Sequence, residues 1–239
     1  MPVQRIHLIS GPRNISTALM YSFAQRPDTA VVDEPFYAMY LAKTNLDHPG
    51  KSEVLASQSS FEDEVVNELM SFHEKPVLFI KNMAHHIAYT NEKYLSQCVN
   101  VFLIRNPRQI ISSYAQVIEK PTLADIGIAY QYSLFEKLRA SGNEPIVVDS
   151  ELLLQDPVDV LRKICDKAGL QFYEEMLRWE PGPKPYDGVW ATHWYANVHK
   201  SSGFEKQPTS DRVLPDSLQN IYTQALVYYE KLLPFSIKP

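Results

Sequence analysis

The chain predicts an α/β fold of three layers, α/β/α, around a central, mainly parallel sheet. Three observations carry this expectation. Five short, β-rich apolar runs recur along the chain; amphipathic stretches separate them; and the first run passes through a polar turn straight into a helix-like segment. Strands are expected near residues 5–9, 29–32, 77–80, 99–104 and 145–148.

The elements follow in order. Arg5-Ile6-His7-Leu8-Ile9 is the first strand, and Ser10 to Thr17 turn into a helix, a P-loop-like strand, loop and helix. Residues 42–60, rich in Ser, Asn and Lys around Pro49-Gly50, are expected to form an exposed loop or lid. Asn106 and Pro107 suit the cap and first position of a helix after the fourth strand. Apolar residues at i, i+3, i+4 spacing mark further helices: Leu123, Ile126, Tyr130, Leu134 and Leu138; Val158, Leu161, Ile164, Cys165 and Ala168; Leu218, Ile221, Tyr222, Ala225 and Tyr229. These are read as packing faces.

Composition bounds the reading. The chain has 239 residues, and no long Pro/Gly linker cuts it, so one domain over 1–239 is expected. Hydrophobic content of 45% and charged content of 21% are ordinary for a packed globular protein, which argues against disorder. A net charge of -5 argues against a general nucleic-acid binder, which needs a basic excess to neutralise phosphates. Cys98 and Cys165 lie in or beside apolar stretches and read as buried thiols; no metal is expected. No signal-peptide pattern or 18-residue apolar span is present, so no membrane role and a cytoplasmic location are expected.

The first turn carries the chemistry. In Ser10-Gly11-Pro12-Arg13-Asn14-Ile15-Ser16-Thr17 a cation and two hydroxyls stand at a helix N-terminus, where unpaired N–H groups and the helix dipole favour phosphate or sulfate. The motif G-x-x-x-x-G-K-[ST] of ATP- and GTP-binding loops is out of register. Counted from Gly11, its second Gly, Lys and hydroxyl positions fall on Ser16, Thr17 and Ala18, which argues against an ordinary ATP-dependent kinase. A second turn, Arg105-Asn106-Pro107, follows the apolar run 99–104, with Ser113 eight residues after Arg105. A guanidinium offers phosphate a planar fork of donors, and a hydroxyl on the next helix adds another.

Together these segments resemble the sulfotransferase family. Arg13, Asn14, Ile15, Ser16 and Thr17 are similar to its 5′-phosphosulfate loop, though many members carry Gly at the position of Ile15. Arg105 and Ser113 are similar to its pair for the 3′-phosphate, and Lys200-Ser201-Ser202-Gly203-Phe204 resembles its nucleotide-closing loop, within a closing segment over 186–210. The run Ile146-Val147-Val148-Asp149 with Ser150 to Pro157 looks like the family's strand and acidic linker. The resemblance implies transfer of a sulfuryl group from 3′-phosphoadenosine 5′-phosphosulfate to a hydroxyl or amine of a small acceptor, without a metal. A non-catalytic nucleotide-binding protein and an atypical phosphotransferase on the same fold are the alternatives.

Transfer to an alcohol needs a general base. Glu34 follows the second strand, whose end faces the ligand crevice of an open α/β sheet, and several subfamilies use a glutamate there. The plainer reading is that Asp33-Glu34 caps a turn before Pro35. His85 and His86 are the rival bases, displaced from the family's Lys-Thr-His pattern, in which Lys81 fits but Met83 stands for the histidine. Adjacent residues on a helix diverge, so one histidine at most is expected to face the site. Lys81 is read as bridging to the transferring sulfonate or as solvated. Arg13 is expected to neutralise the leaving phosphate, and Tyr37, Trp190 and Trp194 to line the acceptor pocket, with core packing as the equal alternative for the segment 186–195.

Overall fold

In a computed structural model, the protein is described over residues 2–118, 120–205 and 214–239. Five strands, β1 (Gln4–Ser10), β2 (Thr29–Asp33), β3 (Val77–Met83), β4 (Val99–Ile104) and β5 (Ile146–Asp149), form one sheet in the order β2-β3-β1-β4-β5. Every pairing is parallel. The helices are α1 (Ser16–Ala24), α2 (Tyr37–Thr44), α3 (Lys51–Ser57), α4 (Glu62–Ser71), α5 (Ala84–Ile87) and α6 (Pro107–Tyr114) in the first half. The second half adds α7 (Leu123–Ile126), α8 (Ile128–Ala140), α9 (Ser150–Gln155), α10 (Pro157–Lys167), α11 (Ala191–Trp194) and α12 (Asp216–Leu232).

The strands read as continuous apolar runs because both faces of the sheet are covered. Alternation sorts them: Ile6, Leu8, Phe79, Val101 and Leu103 join one buried cluster with α1 and α10, while Ile9, Leu78, Ile80, Phe102 and Ile104 join the other with α8 and α12. Each fully buried side chain of this kind contributes about 1.5–3 kcal/mol. Phe23 of α1 stacks on Phe79 of β3 with ring centroids 4.2 Å apart, which ties α1 to the sheet and keeps its N-terminus at the end of β1.

β1 is central, paired to β3 on one side and β4 on the other. From β1 the chain crosses to the edge strand β2, returns to β3, and then passes over to β4 and β5 on the other side. The connections leave β1 and β4 in opposite directions, so the crevice beyond the carboxyl end of β1 is the switch point of the sheet. The turns after β1, β2, β3 and β4 all open there.

Three local expectations change. Residues 42–60 are not one loop: α2 runs to Thr44 and α3 occupies Lys51–Ser57, because Val54 is buried with Tyr37, Tyr40, Trp190 and Tyr195 in a satellite core. Only 45–50 and 58–60 lie outside helices there. The face from Leu123 to Leu138 is two helices, broken at Gly127 with φ +73°, where an added Cβ would sit 2.9 Å from the Ala84 side chain. The acidic linker is α9, whose N-terminus Asp149 caps by accepting from Glu151 and Leu152 N–H. The part 206–210 of the expected closing segment lies outside the described residues. Among the described residues no helix is long and apolar enough to cross a membrane.

Candidate active site

A cavity of about 800 Å³ opens at the switch point. It has a cationic end and an aromatic end.

The cationic end is the turn after β1 facing the turn after β4. Gly11 is required because a Cβ there would lie 2.7 Å from the Ile126 carbonyl oxygen. Arg13 and Ile15 have left-handed backbones, φ +55° and +48°. For a β-branched residue that conformation is costly, about 1–2 kcal/mol, which accounts for glycine as the easier choice at position 15. Asn14 Nδ2 pins the turn to the Leu103 carbonyl at 2.7 Å. No side chain caps α1 at Ile15, so its first N–H groups have no side-chain capping partner.

Two arginines complete this end. Arg13 Nε donates to Ser113 Oγ at 3.0 Å, Arg105 Nη1 donates to the Arg13 carbonyl at 2.7 Å, and Arg105 Nε donates to Gln109 Oε1 at 2.8 Å. Asn106 caps α6, its side chain accepting from Arg108 N–H, with Pro107 in the first turn, which aims the Ser113 face of that helix at the cavity. Among the described residues neither guanidinium has a carboxylate within salt-bridge distance. Burial pulls both arginines below their ordinary value, and Arg13 adds to the effect on Arg105. Two half-buried cations with no ion-pair partner among the described residues, beside a helix start without a side-chain cap, suit the phosphates of a nucleotide.

At the other end, Glu34 is the first residue past β2, in a left-handed backbone at φ +41° that turns its side chain into the cleft. Its N–H donates to the Lys81 carbonyl at 2.7 Å, and its own carbonyl accepts from Gln58 Nε2 at 3.1 Å. Lys81, fully buried on β3, donates to Asp33 Oδ1 at 2.9 Å, Glu34 Oε1 at 2.6 Å and the Tyr195 hydroxyl at 2.6 Å. The hydroxyl in turn donates to Asp33 Oδ2 at 2.7 Å and accepts from Trp190 Nε1 at 3.2 Å. All three ammonium donors are therefore used within the protein.

One ammonium serves two buried carboxylates. Burial, opposed by Lys81 and reinforced by the Asp33 charge, holds Glu34 above the usual carboxylate range. For Lys81, burial works downward, but Asp33 and Glu34 outweigh it and keep the ammonium charged. Burial pushes His85 down to about 3 and His86 well below its ordinary value, so both imidazoles are neutral at pH 7.

Sixteen of the expected residues meet in this one cavity: Arg13 to Thr17, Glu34, Tyr37, Lys81, His85, His86, Arg105, Ser113, Trp190, Trp194, Ser201 and Gly203 line it. Lys200 and Ser202 are exposed and do not line the cleft; the Ser202 carbonyl accepts from Trp179 N–H. Both histidines face it, contrary to the expectation of one at most, because α5 is a single turn at the cleft edge and both rings pack on Tyr40. His86 Nδ1 lies 3.6 Å from Glu34 Oε2. Lys81 is clamped rather than solvated. Sequence reasoning missed Asp33 as a partner of Lys81, along with Tyr195, His48 and Tyr114; the aromatic density of 186–195 was the one signal pointing to Tyr195.

The molecule is thus an open parallel α/β sheet whose switch point joins a cationic end to a buried carboxylate. A sulfotransferase domain model matches residues 4–233, and the chain belongs to the sulfotransferase family. The sulfotransferase domain of the Synechococcus olefin synthase superposes with a TM-score of 0.64 at 20% identity, covering 99% of this chain and 96% of that one. A sulfotransferase from Alicyclobacillus acidocaldarius superposes with a TM-score of 0.57 at 13% identity, covering 98% of each chain. Two Arabidopsis thaliana proteins, branched-chain-amino-acid aminotransferase-like proteins 1 and 2, are 37% and 35% identical over 229 residues, 95% of this chain. The chain spans 41% of the length of each.

Proposed function

We propose that the chain transfers a sulfuryl group from 3′-phosphoadenosine 5′-phosphosulfate to the hydroxyl of a small acceptor. The observation that carries this reading is the juxtaposition, in one cavity, of two arginines without an ion-pair partner among the described residues, at a helix start without a side-chain cap, with a clamped carboxylate of raised pKa. Arg13 with the N–H groups opening α1 would hold the 5′-phosphosulfate, and Arg105 with Ser113 the 3′-phosphate. The donor supplies an activated sulfuryl group whose bridging oxygen leaves on phosphate.

In this reading Glu34 accepts the acceptor's proton as its oxygen bonds to sulfur, and the electron pair of the breaking S–O bond passes to the phosphate oxygen held by Arg13. In-line transfer of this kind depends mainly on positioning and on stabilising leaving-group charge. A base works best when its pKa lies near the working pH, which favours the raised Glu34 over the imidazoles, His85 being depressed to about 3 and His86 held well below its ordinary value by burial. Lys81 is then a positioning residue that fixes Glu34 and neutralises half of the paired carboxylate charge.

The test is a calorimetric titration with 3′,5′-adenosine bisphosphate followed by turnover with sulfur-labelled donor. Binding plus transfer supports the reading; binding without transfer to any acceptor supports the pure binder; no affinity for the bisphosphate sinks both.

A further inference from the structure

We propose that the acceptor is a small alcohol bearing a cationic nitrogen, an ammonium or trimethylammonium group a few bonds from the reacting hydroxyl, seated in the aromatic end of the cavity. This rests on the sulfuryl-transfer reading above and adds the chemical class of the acceptor to it.

The charge count at the two ends is unequal. Both guanidiniums stand at the donor end, where phosphates would match them. At the acceptor end, among the described residues, the cavity is lined by a single ammonium, Lys81, already shared between Asp33 and Glu34. With Glu34 ionised, as a base must be, that group carries one excess negative charge. An anionic acceptor would meet no unused cation there and would add to the excess.

The walls have the matching character. Tyr37 and Trp190 stand nearly perpendicular, 77° with centroids 5.2 Å apart; Tyr114 and Trp194 lie nearly parallel, 26° at 6.4 Å; and all four line the cavity. Aromatic faces are the negative part of a quadrupole and attract cations, most strongly where water is excluded. The imidazoles add no opposing charge: burial lowers His48, His85 and His86 alike. A neutral alcohol would gain the apolar contact but leave the carboxylate excess uncompensated. A cation beside the hydroxyl supplies the missing charge and lies close to the incoming sulfonate, which is itself negative.

The experiment compares isosteres on the full chain, with and without 3′,5′-adenosine bisphosphate. 2-(Trimethylammonio)ethanol and its uncharged carbon analogue 3,3-dimethylbutan-1-ol are titrated by calorimetry, then compared as acceptors with labelled donor. The cation is expected to bind about tenfold or more tightly, with the same preference in kcat/KM, and Trp194→Leu to remove most of that preference while Tyr37→Phe keeps it. Equal or tighter binding of the neutral analogue, or of a hydroxy acid of similar size, overturns the inference, and transfer to that neutral alcohol would leave the sulfotransferase reading standing. Failure of the bisphosphate to bind overturns the reading itself, whichever isostere is preferred.

Discussion

Arg13 and Ser113, 100 residues apart, meet at 3.0 Å, so the turn after β1 and the helix after β4 form one continuous polar wall of the cavity. Arg105 closes the same ring through the Arg13 carbonyl.

Because the two arginines hold each other's loops, each substitution should affect both phosphates. Arg13→Ala and Arg105→Ala are each expected to weaken 3′,5′-adenosine bisphosphate binding by about 10- to 100-fold, the worth of a charge-assisted hydrogen bond of about 1.5–3 kcal/mol. Ser113→Ala should cost about fivefold, a neutral partner being worth about 1 kcal/mol. Calorimetry on folded variants decides it; unchanged affinity in Arg105→Ala would separate the site from the nucleotide.

Glu34→Gln keeps the size and a hydrogen-bonding carbonyl oxygen for Lys81 but removes the base. Turnover should fall about 10²- to 10⁴-fold, with nucleotide affinity nearly intact. The pH profile carries the sign: with Glu34 raised by burial, activity should fall on acidification at a pH above the ordinary glutamate value of 4.5, as the base becomes protonated. A kcat/KM profile whose acid limb lies at or below that value would reject Glu34 as the base.

The hydroxyl of Tyr195 joins Lys81, Asp33 and Trp190. Tyr195→Phe leaves three buried polar groups each short of a partner, and a loss of about 2–3 kcal/mol in urea unfolding is expected. The acid limb of the kcat/KM profile should move as well, since Lys81 and Asp33 both set the charge around Glu34. A stability loss with the limb unmoved would make Tyr195 purely structural.

His7 offers a test independent of catalysis. It is fully buried, its Nε2 paired with Asn82 at 2.8 Å, and burial lowers it to about 3. A folded pKa below the unfolded 6.5 means the unfolded chain takes up the proton first, so stability is lost as pH falls from about 6.5 toward 3. The contribution from this residue is about 1.4 kcal/mol per pH unit within that window. Urea midpoints measured from pH 7 to 5 should drop, and His7→Gln should flatten the slope; an unchanged slope would remove His7 from the account.

Local sequence determined the strands, the turn after β1 and the Arg105–Ser113 spacing, because each lies within one strand, turn and helix, where propensity, capping and periodicity act over a few residues. It determined the family for the same reason, since the matching motifs are local units in a common order. The break at Gly127 and the helix Lys51–Ser57 were decided by tertiary contacts, with Ala84 and through Val54, that no local pattern displays. The clamp on Glu34 was decided the same way. Lys81 lies 47 residues from Glu34 and 114 from Tyr195, and only the parallel register of β2 with β3, which sets Asp33 beside Lys81, brings the carboxylates to one ammonium. Residue type supplied the charged groups at each strand end; desolvation and shared charge, which exist only once the sheet has closed, raise Glu34 and keep Lys81 charged.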